Sequence, residues 1–105
     1  MTEKTPPKAR QAPDTESLYG AFVAIQSADE AARFLKDLFT PGELATLSER
    51  WRVARLLDGG GKTYREIAEE TGASTATVTR VARFLLQENN DGYRLILDRL
   101  KGTSP

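Results

Sequence analysis

The feature that most limits how this chain can fold is a helix-start pattern that opens three segments with helically spaced apolar residues. A serine or threonine is followed three residues later by a glutamate at Ser27, Thr40 and Thr63. In this arrangement, called a capping box, the two side chains bond free N–H groups at the start of a helix. Behind each box, apolar residues recur every three or four positions, and no long alternating pattern indicates a strand. The sequence therefore predicts an all-α fold.

Six helices follow from these patterns and from the residues that interrupt them. Proline after Thr40 suits a first helical position, because its missing N–H is not needed there. The triplet Gly59–Gly61, which we interpret as a linker, stops the long third helix, and Gly72 suits a left-handed residue after the fourth. The predicted helices run from about Thr15 to Ser27, from Ser27 to about Phe39, from Pro41 to the glycine triplet, from Thr63 to Gly72, from Ser74 to about Gln87, and from Tyr93 to Leu100.

Composition narrows the classes of function. The chain holds neither cysteine nor histidine, so it lacks the commonest metal ligands and general base, and no other pair of side chains stands out for catalysis. We therefore predict that the protein is not an enzyme and uses no metal or cofactor. Fifteen basic residues balance fifteen acidic ones, so any DNA binding must depend on where the charges lie and not on net charge.

One domain flanked by two tails is expected. Residues 1–14 are polar and contain three of the five prolines, which predicts a disordered N-terminal tail. The domain is predicted over residues 15–101, and residues 102–105 form the second tail. No stretch is apolar enough for a signal peptide or a membrane span, so we expect a cytoplasmic protein that does not contact membranes.

The segment from Thr63 to Gln87 is the most specific part of the sequence. A helix-turn-helix needs a small residue where two helices touch, a glycine in a tight turn, and branched apolar residues beneath the second helix. These are supplied, in the pattern A-x3-G-x5-V-x2-V, by Ala68, Gly72, Val78 and Val81. Residues from about 63 to 87 are therefore predicted to form a helix-turn-helix.

The face of the fifth helix opposite these valines carries short side chains and arginines. Such a surface lets a helix enter the major groove closely, where threonine reaches base edges and arginine reaches guanine or phosphate. Arg65, in the first turn of the fourth helix, lies where a phosphate is favoured. The residues that this pattern predicts to contact double-stranded DNA are Arg65, Thr75, Ala76, Thr79, Arg80 and Arg83.

Other interpretations of the same residues stay open at this point. A capped helical hairpin can be purely structural, a threonine-rich face can simply be solvated, and Arg80 and Arg83 can be surface ion-pair residues. An alternative function is a helical protein–protein interaction module that docks through the helix-turn-helix, with the acidic side chains of Glu66, Glu69 and Glu70 as its partner surface. Trp51 is interpreted as a core residue.

Residues from about Leu18 to Leu100 resemble the Trp repressor superfamily, and within it the YerC/YecD family of Trp repressor-like proteins. The stretch GASTATVTRV, from Gly72 to Val81, carries most of the likeness, supported by FLKDLFTPGELATLSERWRVARLL before it and NDGYRLILDRL after it. The resemblance implies an intertwined homodimer in which the first three helices and the last interlock between chains, while the fourth and fifth form the DNA-reading head. It implies a sequence-specific transcriptional regulator, expected to be a repressor.

The resemblance also assigns roles to single residues. Arg65 matches a DNA-contacting arginine of Trp repressor, and the tip that faces the groove is matched by Ser74, Thr75, Ala76 and Thr79.

The likeness breaks down at the pocket for the tryptophan corepressor. Arg50 and Arg80 match the arginine pair that sandwiches the indole ring of tryptophan. However, Val81 stands where Trp repressor has a glycine, and Phe84 replaces a serine that lines the same pocket. Both differences add bulk, so tryptophan is not expected to act as corepressor, and the identity of any other small-molecule effector is left open.

Overall fold

A computed structural model describes residues 13–102, and within them the chain forms six helices and no strand. This confirms the predicted all-α fold. The helices are α1 (Thr15–Val23), α2 (Ala28–Leu38), α3 (Pro41–Gly59), α4 (Tyr64–Thr71), α5 (Thr75–Leu86) and α6 (Gly92–Leu100). The predicted tails, residues 1–14 and 102–105, fall largely on residues 1–12 and 103–105, which lie outside the described residues.

The helices divide into two compact units, one ending at Leu38 and the other beginning at Phe39. The first unit holds α1 and α2, neither of which has a fully buried residue. Its two helices meet where the ring of Phe22 contacts that of Phe34 edge to face, with centroids 5.8 Å apart. None of the helices within residues 13–102 combines the length and the apolar run needed to cross a lipid bilayer.

The boundary between α1 and α2 differs in detail from the predicted one. α1 ends at Val23 and not near Ser27, because Ser27 caps the next helix and a cap needs a non-helical backbone. The Ser27 hydroxyl accepts a hydrogen bond from the Glu30 N–H at 3.1 Å, as the capping box predicts. The returning bond is displaced by one residue, since the Glu30 carboxylate accepts from the N–H of Gln26 at 3.0 Å.

The second unit begins with the capping box at Thr40, which is confirmed in full. The Thr40 hydroxyl accepts from the Glu43 N–H at 3.1 Å, and the Glu43 carboxylate accepts from the Thr40 N–H at 2.9 Å. Pro41 occupies the first turn, so α3 starts where the sequence predicts. Along α3, Val53 and Ala54 are completely buried and form the centre of the core.

α6 packs on α3 and α5, where an aromatic pair and an ion-pair cluster hold it. The rings of Trp51 and Tyr93 are stacked with centroids 6.5 Å apart, and both pack against the core, so the interpretation of Trp51 as a core residue is confirmed. In the cluster, the Asp58 carboxylate contacts the guanidinium of Arg94 at 2.8 Å and the ammonium of Lys101 at 2.7 Å. The Lys101 ammonium and, after it, the Arg94 guanidinium hold the pKa of Asp58 below its ordinary value of 3.8, although burial opposes them.

Replacing Asp58 by asparagine is expected to lower the free energy of unfolding by about 1–2 kcal/mol at neutral pH, because hydrogen bonds to a charged group are lost. Since folding lowers the pKa of Asp58, its carboxylate stabilises the fold above pH 3.8, and this contribution disappears as the pH falls through the folded-state pKa. Chemical denaturation of wild type and variant across pH measures the difference. Asp37→Asn, at an exposed position of α2, is the control. A difference that stayed constant into strong acid would contradict this role for Asp58.

Candidate nucleic-acid interface

Short-range hydrogen bonds build the helix-turn-helix. α4 begins with a complete capping box, in which the Thr63 hydroxyl accepts from the Glu66 N–H at 3.0 Å and the Glu66 carboxylate accepts from the Thr63 N–H at 2.8 Å. Gly72 then adopts the predicted left-handed conformation, with φ 80° and ψ 0°. Its N–H donates to the Ala68 carbonyl at 2.9 Å, which closes the turn. Because the next helix starts only three residues later, at Thr75, the two helices are joined as tightly as the motif requires.

A threonine that the sequence analysis did not single out also braces this turn. The Thr71 hydroxyl donates to the Ile67 carbonyl at 2.8 Å and accepts from the Ala73 N–H at 3.1 Å. It thereby ties the last turn of α4 to the start of the linker. A threonine just before the turn glycine is the only sequence feature that indicates such a role.

Apolar residues hold α5 from beneath and decide which of its faces meets solvent. Val78 is completely buried and Val81 is 1% exposed, and both belong to the cluster that contains Val53 and Ile67. Ala68 is half-buried against the same cluster. The pattern of small residue, glycine and paired valines therefore produces the predicted helix-turn-helix, and the valine face of α5 is turned away from solvent.

All residues predicted to contact DNA lie on the exposed surface of α4, α5 and the turn between them. They are Arg65, Ser74, Thr75, Ala76, Thr79, Arg80 and Arg83. On α5 the short side chains occupy the first two turns. The exposed face of the N-terminal half of this helix therefore carries no bulky side chain that would keep it away from DNA. Contact of each residue with DNA stays a prediction.

Two of these side chains already have partners within the protein. The Ser74 hydroxyl accepts from the Thr77 N–H and donates to the Thr77 hydroxyl, both at 3.0 Å. The Ser74 oxygen thus caps α5 while its hydroxyl bonds that of Thr77, so any contact of Ser74 with DNA would have to be made alongside these two bonds. The guanidinium of Arg83 bonds the Glu88 carboxylate at 2.8 Å, which is the ion-pair arrangement considered as an alternative for this residue.

Two other arginines of the motif make no ion pair within residues 13–102, namely Arg65 and Arg80. Arg80 instead places its guanidinium over the ring of Phe84, 4.6 Å from the ring centroid. These two cations are therefore free of neutralising carboxylates on the predicted DNA-facing surface.

The acidic residues that the alternative function requires are all exposed, but two of the three carboxylates have partners within the protein. The Glu66 carboxylate is bonded at the start of α4, as described above, and Glu70 pairs with Lys62 at 3.1 Å. Only Glu69 of the three makes no ion pair or side-chain hydrogen bond among the described residues. The structure therefore offers no particular support for an acidic docking face.

The positions that resemble a corepressor pocket are occupied by side chains of the protein itself. Val81 is part of the core, and the ring of Phe84 lies against Arg80. Arg50 lies on α3, beside an open cleft that Phe39, Thr46 and Leu47 also line. Within residues 13–102 no group of three acidic side chains is arranged to hold a metal ion.

Comparison with known proteins agrees with this architecture. A family model described as Trp repressor protein matches residues 14–101. YerC of Bacillus subtilis is 42% identical over 90 residues, which is 86% of this chain and 85% of YerC. A Trp operon repressor homolog of Chlamydia trachomatis serovar L2 is 39% identical over 69 residues, covering 62% of this chain and 73% of the homolog.

A solved structure of a TrpR-like protein from Eubacterium eligens superimposes with a TM-score of 0.77 at 39% identity, covering 93% of this chain and 99% of that one. The resemblance predicted from the stretch GASTATVTRV and its flanks is thus confirmed. Because the family model spans nearly all the described residues, this chain belongs to the Trp repressor family.

Proposed function

We propose that this protein is a cytoplasmic transcriptional regulator, acting as a repressor, that binds specific double-stranded DNA as a homodimer through α4 and α5. One observation carries the proposal: Val78 and Val81 anchor α5 in the core, so its opposite face, with short side chains on the first two turns, is exposed to solvent. Family membership supports a helical DNA-binding regulator and gives no support for an enzyme. One relative is itself described as a Trp operon repressor homolog.

The residues predicted to contact DNA have two different roles. Arg65, Arg80 and Arg83 bind phosphates and position the protein, since phosphate contacts fix the register of a protein on the duplex. Thr75, Ala76 and Thr79 approach base edges in the major groove, where short side chains allow close contact. Ser74 caps α5 and lies at the tip of the surface that faces the groove. A chain without net charge depends on these local contacts, because no overall field attracts it to DNA.

Exposed apolar side chains support the homodimer. On α6, Leu95 is 48% exposed, Ile96 is 43% exposed and Leu100 is 71% exposed. On α1, Phe22 and Val23 are 41% and 84% exposed. Surfaces of this kind are covered by a partner in stable assemblies. In a symmetric dimer, the two copies of α5 can occupy successive major grooves, whose centres are about 34 Å apart.

Selection of bound duplexes from a random library tests the proposed function. We expect enrichment of a sequence with two-fold symmetry and half-sites separated by about one helical turn, as two related α5 helices require. Failure to enrich any sequence, together with tight binding of a protein partner, would contradict the proposal and favour the interaction module.

Alanine substitution of Arg65 is expected to weaken binding to every duplex, selected or scrambled, because a phosphate contact carries no sequence information. The slope of log affinity against log salt concentration should become shallower by about one phosphate for each half-site. Fluorescence anisotropy across a salt series measures both effects. Lys36→Ala, which removes an exposed cation on α2 outside the helix-turn-helix, serves as the control for the loss of a charged side chain. An unchanged salt slope would remove Arg65 from the interface.

L-tryptophan is expected not to act as corepressor. Val81 is 1% exposed within the core, and the ring of Phe84 lies against Arg80, so an indole placed there would overpack the site at a cost of roughly 1–3 kcal/mol or more. Calorimetric titration should show no binding below millimolar tryptophan, and DNA affinity should be the same with and without it. Submicromolar binding would mean that the pocket is open after all.

A further inference from the structure

The contact between Arg80 and Phe84 differs from the other contacts made by cations of the helix-turn-helix. The two residues are one helical turn apart on α5, and side chains of a helix lean toward its N-terminus, so the ring reaches back over the turn that carries Arg80. The guanidinium carbon lies 4.6 Å from the ring centroid, within the range of a cation–π interaction. Phe84 is half-buried, whereas Arg80 is exposed.

This contact holds the cation without neutralising it. Lys62 and Arg83 are each paired with a carboxylate, so binding of a phosphate by either must compete with that partner. An aromatic ring carries no negative charge to neutralise the guanidinium, and it can meet only part of that group. Of the five N–H donors of arginine, those that do not face the ring stay free for an anion.

We propose that Phe84 is a positioning residue that holds Arg80 in place to bind a DNA phosphate. The phosphate contact made by α5 then forms without a bound small molecule. The inference rests on the proposed function, since it requires α5 to lie against DNA. Phe84 itself does not touch DNA. It acts by restricting the arginine before binding, which reduces the conformational entropy that Arg80 loses when it meets the phosphate.

Replacement of Phe84 by leucine tests this role, because leucine keeps an apolar side chain but has no aromatic face. We expect binding to the selected duplex to weaken by about fivefold or more, which corresponds to ordering one long side chain in each of the two protomers. Phe84→Tyr keeps the ring face and should restore affinity close to that of the wild type. Phe84→Met provides a second non-aromatic variant if the leucine protein is poorly folded, as judged by thermal unfolding.

The same changes in an Arg80→Ala background separate positioning from a structural role. If Phe84 acts through Arg80, the leucine substitution has no further effect on DNA affinity once the arginine is gone. An equal loss in both backgrounds would show that the ring only supports the helix, and full affinity of the leucine and methionine variants would overturn the inference outright. Absence of DNA binding by the wild type would instead contradict the proposed function.

Discussion

Replacing Thr79 by tyrosine is expected to lower the affinity for the preferred duplex by about 1–3 kcal/mol in each half-site, while weak binding to scrambled DNA stays nearly unchanged. Thr79 is exposed on α5, one turn beyond Thr75 and Ala76, whose side chains are also short. A bulky ring at this position would hold the helix away from the base edges. Contacts to phosphates, which supply non-specific binding, would be largely retained.

Anisotropy on the selected and the scrambled duplex measures the two affinities, and circular dichroism checks that the variant is folded. Ser48→Tyr, a similar enlargement at an exposed position of α3 outside the helix-turn-helix, is the control. If folded Thr79→Tyr protein kept full preference for the selected duplex, α5 would not be the reading helix.

Replacing Ile96 by glutamate is expected to convert the dimer into monomers and to abolish tight binding to the two-fold-symmetric duplex. Ile96 lies on α6 beside Leu95, and both are about half exposed in the single chain. A carboxylate forced between apolar surfaces loses its hydration without gaining a partner, and burying such a charge is costly. A monomer keeps one α5 helix, so it loses the second half-site and the affinity that simultaneous contact provides.

Light scattering should give twice the chain mass of 11.6 kDa for the wild type at micromolar concentration, and a mass close to that of one chain for Ile96→Glu. Ala76→Glu introduces the same charge at an exposed position of α5, outside the helices expected to interlock between chains, and should leave the mass unchanged. A wild-type protein that stays monomeric and still binds the symmetric duplex tightly would contradict the homodimer.

Features set by neighbours along the chain could be predicted from the sequence. The capping boxes at Thr40 and Thr63 and the left-handed Gly72 each depend on residues no more than four positions apart, so local composition is sufficient to place them. The buried valines of α5 follow from helical periodicity. These local rules account for the helix-turn-helix and for the exposed face of its second helix.

Features that depend on distant residues could not be predicted in the same way. The cluster around Asp58 joins the end of α3 to Arg94 and Lys101, more than thirty residues later, and no local pattern indicates that these side chains meet. A nearby pair was also left open: exposure of Arg83 follows from periodicity, but the sequence could not decide between a phosphate and Glu88, five residues later, as its partner. That choice depends on how the chain turns after α5.

One measurement tests most directly whether α5 reads specific DNA. The wild-type protein is titrated onto the selected duplex and onto a scrambled duplex of the same length at physiological salt. Sequence-specific binding predicts a preference of about a thousandfold or more for the selected duplex, with both affinities falling as salt is raised. Equal affinity for the two duplexes, or no binding to either at low salt, would contradict the claim.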